Sequence, residues 1–182
     1  QGNLAQLAIA DMAVVVGCGG GDAVEACLPQ LLADARQLVL DADALNALAR
    51  NPAWHPTLTA RKPGTTVLTP HPLEAARLLG SSTATVQANR LASAQALADQ
   101  FQCPVVLKGS GTIIASPGEL PRLNPTGNAR LAIAGTGDVL AGLLGSLRGQ
   151  GEAAFEAACR ACYRHGQVAD QWDMASTLTA PE

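Results

Sequence analysis

With 182 residues, 48% of them hydrophobic and 3% aromatic, the chain is long enough to bury a core without cross-links or metals, and a single domain over residues 1–182 is expected. Twelve basic against fifteen acidic residues leave a formal charge of −3; there is no basic block to attract a nucleic-acid backbone and no apolar run of the roughly 18 residues a membrane helix needs. The five cysteines, an odd number, point to reduced thiols in a cytoplasmic protein, and Cys159-x-x-Cys162 with His165 lacks the second ligand pair of a zinc site, so no metal ligand set is assigned.

In chain order, Gln1-Gly2-Asn3-Leu4 has neither the charged start nor the apolar core of a signal peptide and no initiating Met, and it reads as an internal fragment. Met12-Ala13-Val14-Val15-Val16 is a β-branched run ending at Gly17-Cys18-Gly19-Gly20-Gly21, and a helix is expected from Ala23 to Ala35 with Asp22 as its cap and Leu28, Leu31 and Leu32 on one face. Residues 37–41 form a second buried strand ending in acidic residues, before a short helix from Ala44 to Ala49. Residues 50–65 hold three prolines and one glycine and read as a surface loop. Thr66 to Thr69 is the next strand, ended by Pro70-His71-Pro72. A short helix from Leu73 to Leu79 and one long helix from Thr85 to Phe101 follow.

Pro104 to Lys108 is again apolar and β-branched. Thr112 to Ser116 and Glu119 to Leu123 are expected to pair antiparallel around Pro117-Gly118. Asp138 to Leu147 makes an apolar helix stopped by Gly149-Gln150-Gly151, and a last helix spans about Glu152 to Asp173. Strands alternating with helices imply an α/β fold: a mostly parallel sheet covered on both faces, with a ligand crevice at the carboxyl ends of the strands.

The chemistry-bearing residues fall at those ends. Gly135-Thr136-Gly137-Asp138 opens an apolar helix, where backbone N–H groups and the helix dipole favour an anion; Asp138 can be a first-turn helix residue or accept a proton from a substrate hydroxyl. Lys108-Gly109-Ser110-Gly111-Thr112 offers a cation, mobile backbone and hydroxyls for nucleotide phosphates or ribose, or is an ordinary glycine turn. It is no Walker A loop, because no Lys-Ser or Lys-Thr leads from the glycines into a helix. His71 is held between two prolines and can face a ligand or serve structure alone. Glu74 caps the next helix or helps hold hydrated Mg²⁺. Asp41 and Asp43 face the crevice or cap the next helix. The 17–21 loop lacks the last glycine of G-x-G-x-x-G, since position 22 is Asp, which disfavours a Rossmann dehydrogenase.

Taken in order, Leu40-Asp41-Ala42-Asp43-Ala44-Leu45-Asn46, Thr69-Pro70-His71-Pro72, Val105 to Thr112, Thr126-Gly127-Asn128 and Gly135-Thr136-Gly137-Asp138-Val139-Leu140-Ala141-Gly142 resemble the carbohydrate-kinase-like NAD(P)H-hydrate dehydratases, a branch of the ribokinase-like superfamily. The resemblance runs from about Val14 to Leu178-Thr179-Ala180 and includes Tyr163-Arg164-His165-Gly166. It implies a ribokinase-like three-layer sandwich. It also implies a cytoplasmic, homo-oligomeric (tetrameric) lyase that dehydrates the S form of NADHX or NADPHX at the expense of ADP or ATP, with Mg²⁺ bridging the phosphates. Lys108, Gly109, Ser110, Gly111, Thr112 and Gly137 match the adenine-nucleotide site, Gly19, His71 and Asp138 the substrate site, and Asp138 the catalytic base. Gly135, Thr136 and Gly137 form the anion turn.

Two departures are visible. Gly17-Cys18-Gly19-Gly20-Gly21 stands for the family's Gly-Pro-Gly-Leu-Gly type loop, and Ala134-Gly135-Thr136-Gly137 for Gly-Gly-Ser-Gly. The family's first strands would precede Gln1, so a truncated chain is expected, and the end of a bifunctional protein that begins with an epimerase domain is one form it can take. The competing readings are a small-molecule kinase acting on a sugar or vitamin precursor with the same anion turn, and a nucleotide-binding module without catalysis.

Overall fold

The computed structural model describes residues 8–172. The sequence elements at Gln1–Leu4, Asp173 and Leu178–Ala180 lie outside the described residues. The six strands are β1 (Ala13–Val16), β2 (Gln37–Leu40), β3 (Thr66–Leu68), β4 (Val105–Leu107), β5 (Ile113–Ala115) and β6 (Arg122–Leu123). They lie in the sheet in chain order. β1 to β4 pair in parallel, whereas β4–β5 and β5–β6 are antiparallel, as the apolar runs and the Pro117-Gly118 turn lead one to expect. The eight α-helices among the described residues are α1 (Ala23–Asp34), α2 (Ala42–Arg50), α3 (His55–Thr59), α4 (Pro72–Leu79), α5 (Thr83–Ala88), α6 (Arg90–Phe101), α7 (Thr136–Gly149) and α8 (Ala154–Gln171).

Alternation along the strands sends side chains to two separate cores. Leu38, Leu40, Leu68, Val105, Leu107 and Ile113 join α1 to α6 on one face. Val39, Val67, Val106 and Ile114 meet Leu140, Leu144, Ala157 and Ala161 of α7 and α8 on the other. The result is a three-layer sandwich in which every parallel strand ends at the same edge. α7 lies so close to the sheet that a Cβ on Gly145 would come within 2.3 Å of Val15 Cγ2.

Three expectations are corrected. Asp22 does not cap α1 through its side chain; its own backbone is already helical, at φ −66°, so its carboxylate is not in position to reach back to the next amides. The 50–65 segment is not a plain loop, for a 3₁₀ turn at Pro52–Trp54 leads directly into α3. Prolines at first helical positions favour this, and Leu58 buries into the core at 2% exposure. The single helix over 85–101 is two: Ser82 caps α5 by accepting from Thr85 N–H at 3.1 Å, and the chain leaves the helical region at Asn89, with φ −134° and ψ 49°, before α6.

Arg61 explains how the segment after α3 is fixed. Its Nη1 and Nη2 donate to the carbonyls of Leu32 at 2.6 Å and Ala35 at 2.7 Å, and its Nε donates to Thr66 Oγ1 at 2.7 Å. A guanidinium thus closes the carboxyl end of α1, where helix carbonyls have no partners of their own, and ties it to the start of β3. Arg61→Met should lower unfolding stability by about 2–3 kcal/mol, the worth of a charged hydrogen-bond donor to buried carbonyls. Urea unfolding would read this, and an unchanged midpoint would contradict it.

Candidate functional site

The carboxyl ends of β1, β2, β3 and β4 deliver Gly17-Cys18, Asp41, Pro70-His71 and Lys108 to one edge of the sheet, and the amino end of α7 adds Gly137 and Asp138. At its centre Lys108 Nζ donates to Asp41 Oδ1 at 2.5 Å, with the Lys side chain 17% exposed and the Asp 1%. Of the two roles open to Asp41, the crevice-facing one is realised; it stands just before α2 but makes no side-chain cap. The following residue, Ala42, is a non-glycine at φ 41°, a strained conformation that surrounding contacts must enforce.

Gly17 is required by this packing: a Cβ there would lie 1.8 Å from the Asp41 carbonyl oxygen. Asp43 bonds the same glycine loop from the other side, its Oδ2 accepting from Gly21 N–H at 2.8 Å. Gly19 sits at the loop's exposed crest with φ 67° and open space around it.

α7 begins with Gly135 at φ 89°, a left-handed entry that glycine makes without strain. Its first intrahelical bond runs from Val139 N–H to Gly135 O at 3.1 Å, so the amides before it point out of the helix end. Thr136 is buried and its hydroxyl donates inward, to the carbonyls of Leu131 at 2.7 Å and Ile133 at 2.9 Å. It therefore shapes the turn rather than offering its hydroxyl to a ligand. Gly137 faces the ion pair; a Cβ on it would be 3.4 Å from Lys108 Nζ. Asp138 is exposed and makes no cap. Its carboxylate meets the Cys18 thiol, and the ligand atoms of Cys18, Asp41 and Asp138 all lie within 4.8 Å of one another. That is the one set of three such groups among the described residues, and Lys108 supplies its cation. Cys159, Cys162 and His165 form no such set among them.

On the far side of Lys108 opens a cleft of about 480 Å³. All of Lys108, Gly109, Ser110, Gly111 and Thr112 line it, together with Thr136 and Gly137, and with Gly127, Asn128, Leu131 and His165 from the next loop and α8. The 108–111 backbone is held by Arg90, whose Nη2 donates to the Leu107 carbonyl at 3.1 Å and the Gly111 carbonyl at 3.2 Å. Asp170 fixes the opposite lip by accepting from Gly127 N–H at 2.8 Å.

His71 lies outside that cleft. It caps α4, its Nδ1 accepting from Leu73 N–H at 3.1 Å, while Glu74 Oε2 accepts from His71 N–H at 2.7 Å. This reciprocal capping box settles Glu74 as a capping residue. Nε2 stands 3.2 Å from Glu74 Oε1. With Nδ1 accepting in the neutral ring, Nε2 carries the proton. Burial, then the Lys108 charge, push the His71 pKa down, and burial pushes that of Glu74 up, so both shifts favour uncharged forms.

Sequence reasoning gave no role in the site to Cys18, Arg90 and Asp170, and noted His165 beside the cysteine pair and within the Tyr163-Arg164-His165-Gly166 stretch of the family resemblance, without a place in the site. Cys18 was signalled by its place in a glycine loop after a strand; Arg90 and Asp170 act from helices through backbone contacts and carry no local motif.

The family model for NAD(P)H-hydrate dehydratase matches residues 3–182 of the chain. An ADP-dependent (S)-NAD(P)H-hydrate dehydratase of Neisseria meningitidis serogroup B is 47% identical over 160 residues, covering 86% of this chain and 53% of the relative. A bifunctional NAD(P)H-hydrate repair enzyme of Escherichia coli K12 is 43% identical over 135 residues, 74% of this chain and 25% of the relative. The chain thus spans about half the length of the first of these relatives and a quarter of the second. Among solved structures, an ADP/ATP-dependent NAD(P)H-hydrate dehydratase of Bacillus subtilis, co-crystallised with ATP and Mg²⁺, superposes with a TM-score of 0.72 at 32% identity, covering 94% of this chain and 65% of that one. A ribokinase-like superfamily protein of Enterococcus faecalis gives 0.71 at 26% identity, covering 86% and 54%.

Cys18 offers a direct probe of this geometry. Burial, the nearby Asp41 and Asp138 carboxylates and the bond to Asp138 together raise its thiol pKa from 9.0 to about 12. A raised pKa means less thiolate, the reactive form, at any pH below it. Iodoacetamide at pH 8 should therefore label Cys18 about tenfold or more slower than a free cysteine, and Asp138→Asn should restore part of the rate. Peptide mass mapping would measure both, and labelling at the free-cysteine rate would contradict the arrangement.

Proposed function

Because this chain belongs to the NAD(P)H-hydrate dehydratase family, we propose that residues 1–182 act as one catalytic unit that dehydrates the S form of hydrated NADH or NADPH, using ADP. The observation that carries this reading is the cleft lined by Lys108 to Thr112 and Gly137: a nucleotide-sized groove that holds a cation and free helix amides together, with the exposed carboxylate of Asp138 following Gly137 in the first turn of α7. ADP fits there with its phosphates toward Gly137 and Lys108. That the B. subtilis structural relative was co-crystallised with ATP and Mg²⁺ supports an adenine nucleotide as the ligand.

The chemistry follows from that placement. A ring hydroxyl leaves poorly as hydroxide. Asp138 takes its proton as the oxygen attacks the terminal phosphorus of ADP, the P–O bond to AMP breaks, and the hydroxyl becomes a phosphate ester. Loss of phosphate with an adjacent ring proton then restores the dihydropyridine, giving NADH or NADPH, AMP and inorganic phosphate. Lys108, held by Asp41, and the first amides of α7 stabilise the charge that builds on the transferring group. Gly19 and His71 border the space where the hydrated ring would sit, and a neutral His71 can hydrogen-bond it without competing for the proton.

Mg²⁺ would arrive on the nucleotide's phosphates. The protein presents no cage of oxygen ligands for it among the described residues, since Asp41 is engaged by Lys108 and Cys18 is a protonated thiol, and a phosphate-borne ion with few protein ligands is how this metal usually binds. Bound there, it would neutralise phosphate charge. A cytoplasmic setting and a homo-oligomeric assembly belong to the same proposal; no helix among the described residues is long and apolar enough to cross a membrane.

Given (S)-NADHX, ADP and Mg²⁺, the chain should restore the reduced-nicotinamide absorbance and release one AMP and one phosphate per turnover. A stable phosphorylated alcohol would instead indicate a kinase, and nucleotide binding without turnover a silent module. Asp138→Asn should lower kcat by about 10²–10⁴, the usual worth of a positioned base, while leaving ADP affinity within about threefold. Unchanged kcat would remove Asp138 from that role.

A further inference from the structure

A reaction between two nucleotides needs two cavities opening on one reacting centre. Among the cavities that the described residues form outside the nucleotide cleft, one is lined by Arg61, Gly64, Cys103 and Pro104, before β3 and β4 begin, at the opposite edge of the sheet from the site. A second, lined by Arg122, Glu156 and Tyr163, lies beside the antiparallel strands. A third, of about 550 Å³, is lined by Gly21, Asp22, Asp43, Asn46, Arg50 and Arg77. It opens at the same edge as the site, where the chain leaves β1 and β2, and it shares the glycine loop whose Cys18 touches Asp138.

Its lining is mixed in charge, and the partners decide what each group can do. Arg50 is paired with Glu25 at 3.2 Å. Arg77 is exposed and its Nη1 donates to the neutral Asn46 Oδ1 at 2.6 Å, with no carboxylate at ion-pair distance among the described residues. It therefore presents a guanidinium whose charge is unmatched and whose orientation is fixed. Asp43 uses Oδ2 to hold Gly21 N–H, and Asp22 makes no cap. A guanidinium beside carboxylates suits a sugar phosphate: the cation takes the phosphate in a forked contact and a carboxylate accepts from ribose hydroxyls, as acidic residues do in other dinucleotide sites.

We propose that this cavity receives the ribose-phosphate half of the dinucleotide substrate, with Arg77 as its phosphate anchor and Asp43 as a ribose acceptor. The assignment rests on the dehydratase reading, which places ADP in the other cleft and the reacting ring between the two.

The test uses the full chain and NADPH, which carries the same ribose-phosphate half and fluoresces. With excess ADP filling the nucleotide cleft, NADPH is titrated into the wild type, Arg77→Ala and Arg77→Lys, and ADP is titrated separately. Arg77→Ala should weaken NADPH binding about tenfold or more, Arg77→Lys should recover part of it, and ADP affinity should not change. In turnover, the KM for the hydrated substrate should rise while kcat holds. NADPH affinity equal to wild type in Arg77→Ala, parallel loss of ADP and NADPH, or a wild type that does not bind NADPH would each overturn the assignment. Arg77-dependent NADPH binding in a chain that does not dehydrate NADPHX would leave this subsite standing and sink the dehydratase reading. Dehydration with an unchanged KM in Arg77→Ala would do the reverse.

Discussion

The bond between Lys108 and Asp41 is the constraint on which the site depends. It joins the ends of β2 and β4 across the intervening β3, and the nearly complete burial of Asp41 means that neither group can lose the other without leaving a charge in a poorly solvated place. Everything else is arranged around that pair. Gly17 carries β1's exit against the Asp41 carbonyl where no side chain would fit, the strain at Ala42 turns the chain away into α2, and Gly137 brings the amino end of α7 against the ammonium. Four strand ends and a helix start are thereby held in register.

That arrangement also gives the two sides of the site different chemistries. Toward Lys108 and the 108–112 loop the walls are backbone amides, hydroxyls and a cation, held by Arg90 and Asp170. Toward the glycine loop they are carboxylates and guanidinium groups on α2 and α4. Asp138 stands at the junction, touching Cys18 of the glycine loop while its neighbour Gly137 lines the cleft along the 108–112 loop. A carboxylate placed between two dissimilar cavities is what transfer between two different ligands calls for.

Much of the fold was legible because most of its strands are short β-branched runs closed by glycine or proline, and β3, β4 and β5 are buried along their whole length. The mostly parallel sheet with an antiparallel edge follows from the helix spacing and from Pro117-Gly118. The misreadings have local causes. Prolines at 52 and 56 read as loop markers although proline also starts helices, and Asn89 interrupts an Ala-rich pattern that periodicity alone joins up. Of the site, the glycine turn and the lysine loop could be found singly, and their order carried the family resemblance. The Asp41 to Lys108 bond spans 67 residues, and the guanidinium clamps of Arg61 and Arg90 bind carbonyls, which no side-chain pattern encodes. Cys18 could be seen as a departure from the family loop, but its contact with Asp138 arises only once α7 is packed across β1.

The most direct measurement of the central claim is a crystal structure of the chain with ADP and Mg²⁺. This account predicts the terminal phosphate at the Gly137 amide, beside Lys108 and within reach of Asp138, with the nucleoside lying along the 109–112 loop toward Leu131 and His165. Density for ADP between Arg50 and Arg77 instead, with the Lys108 cleft empty, would contradict it.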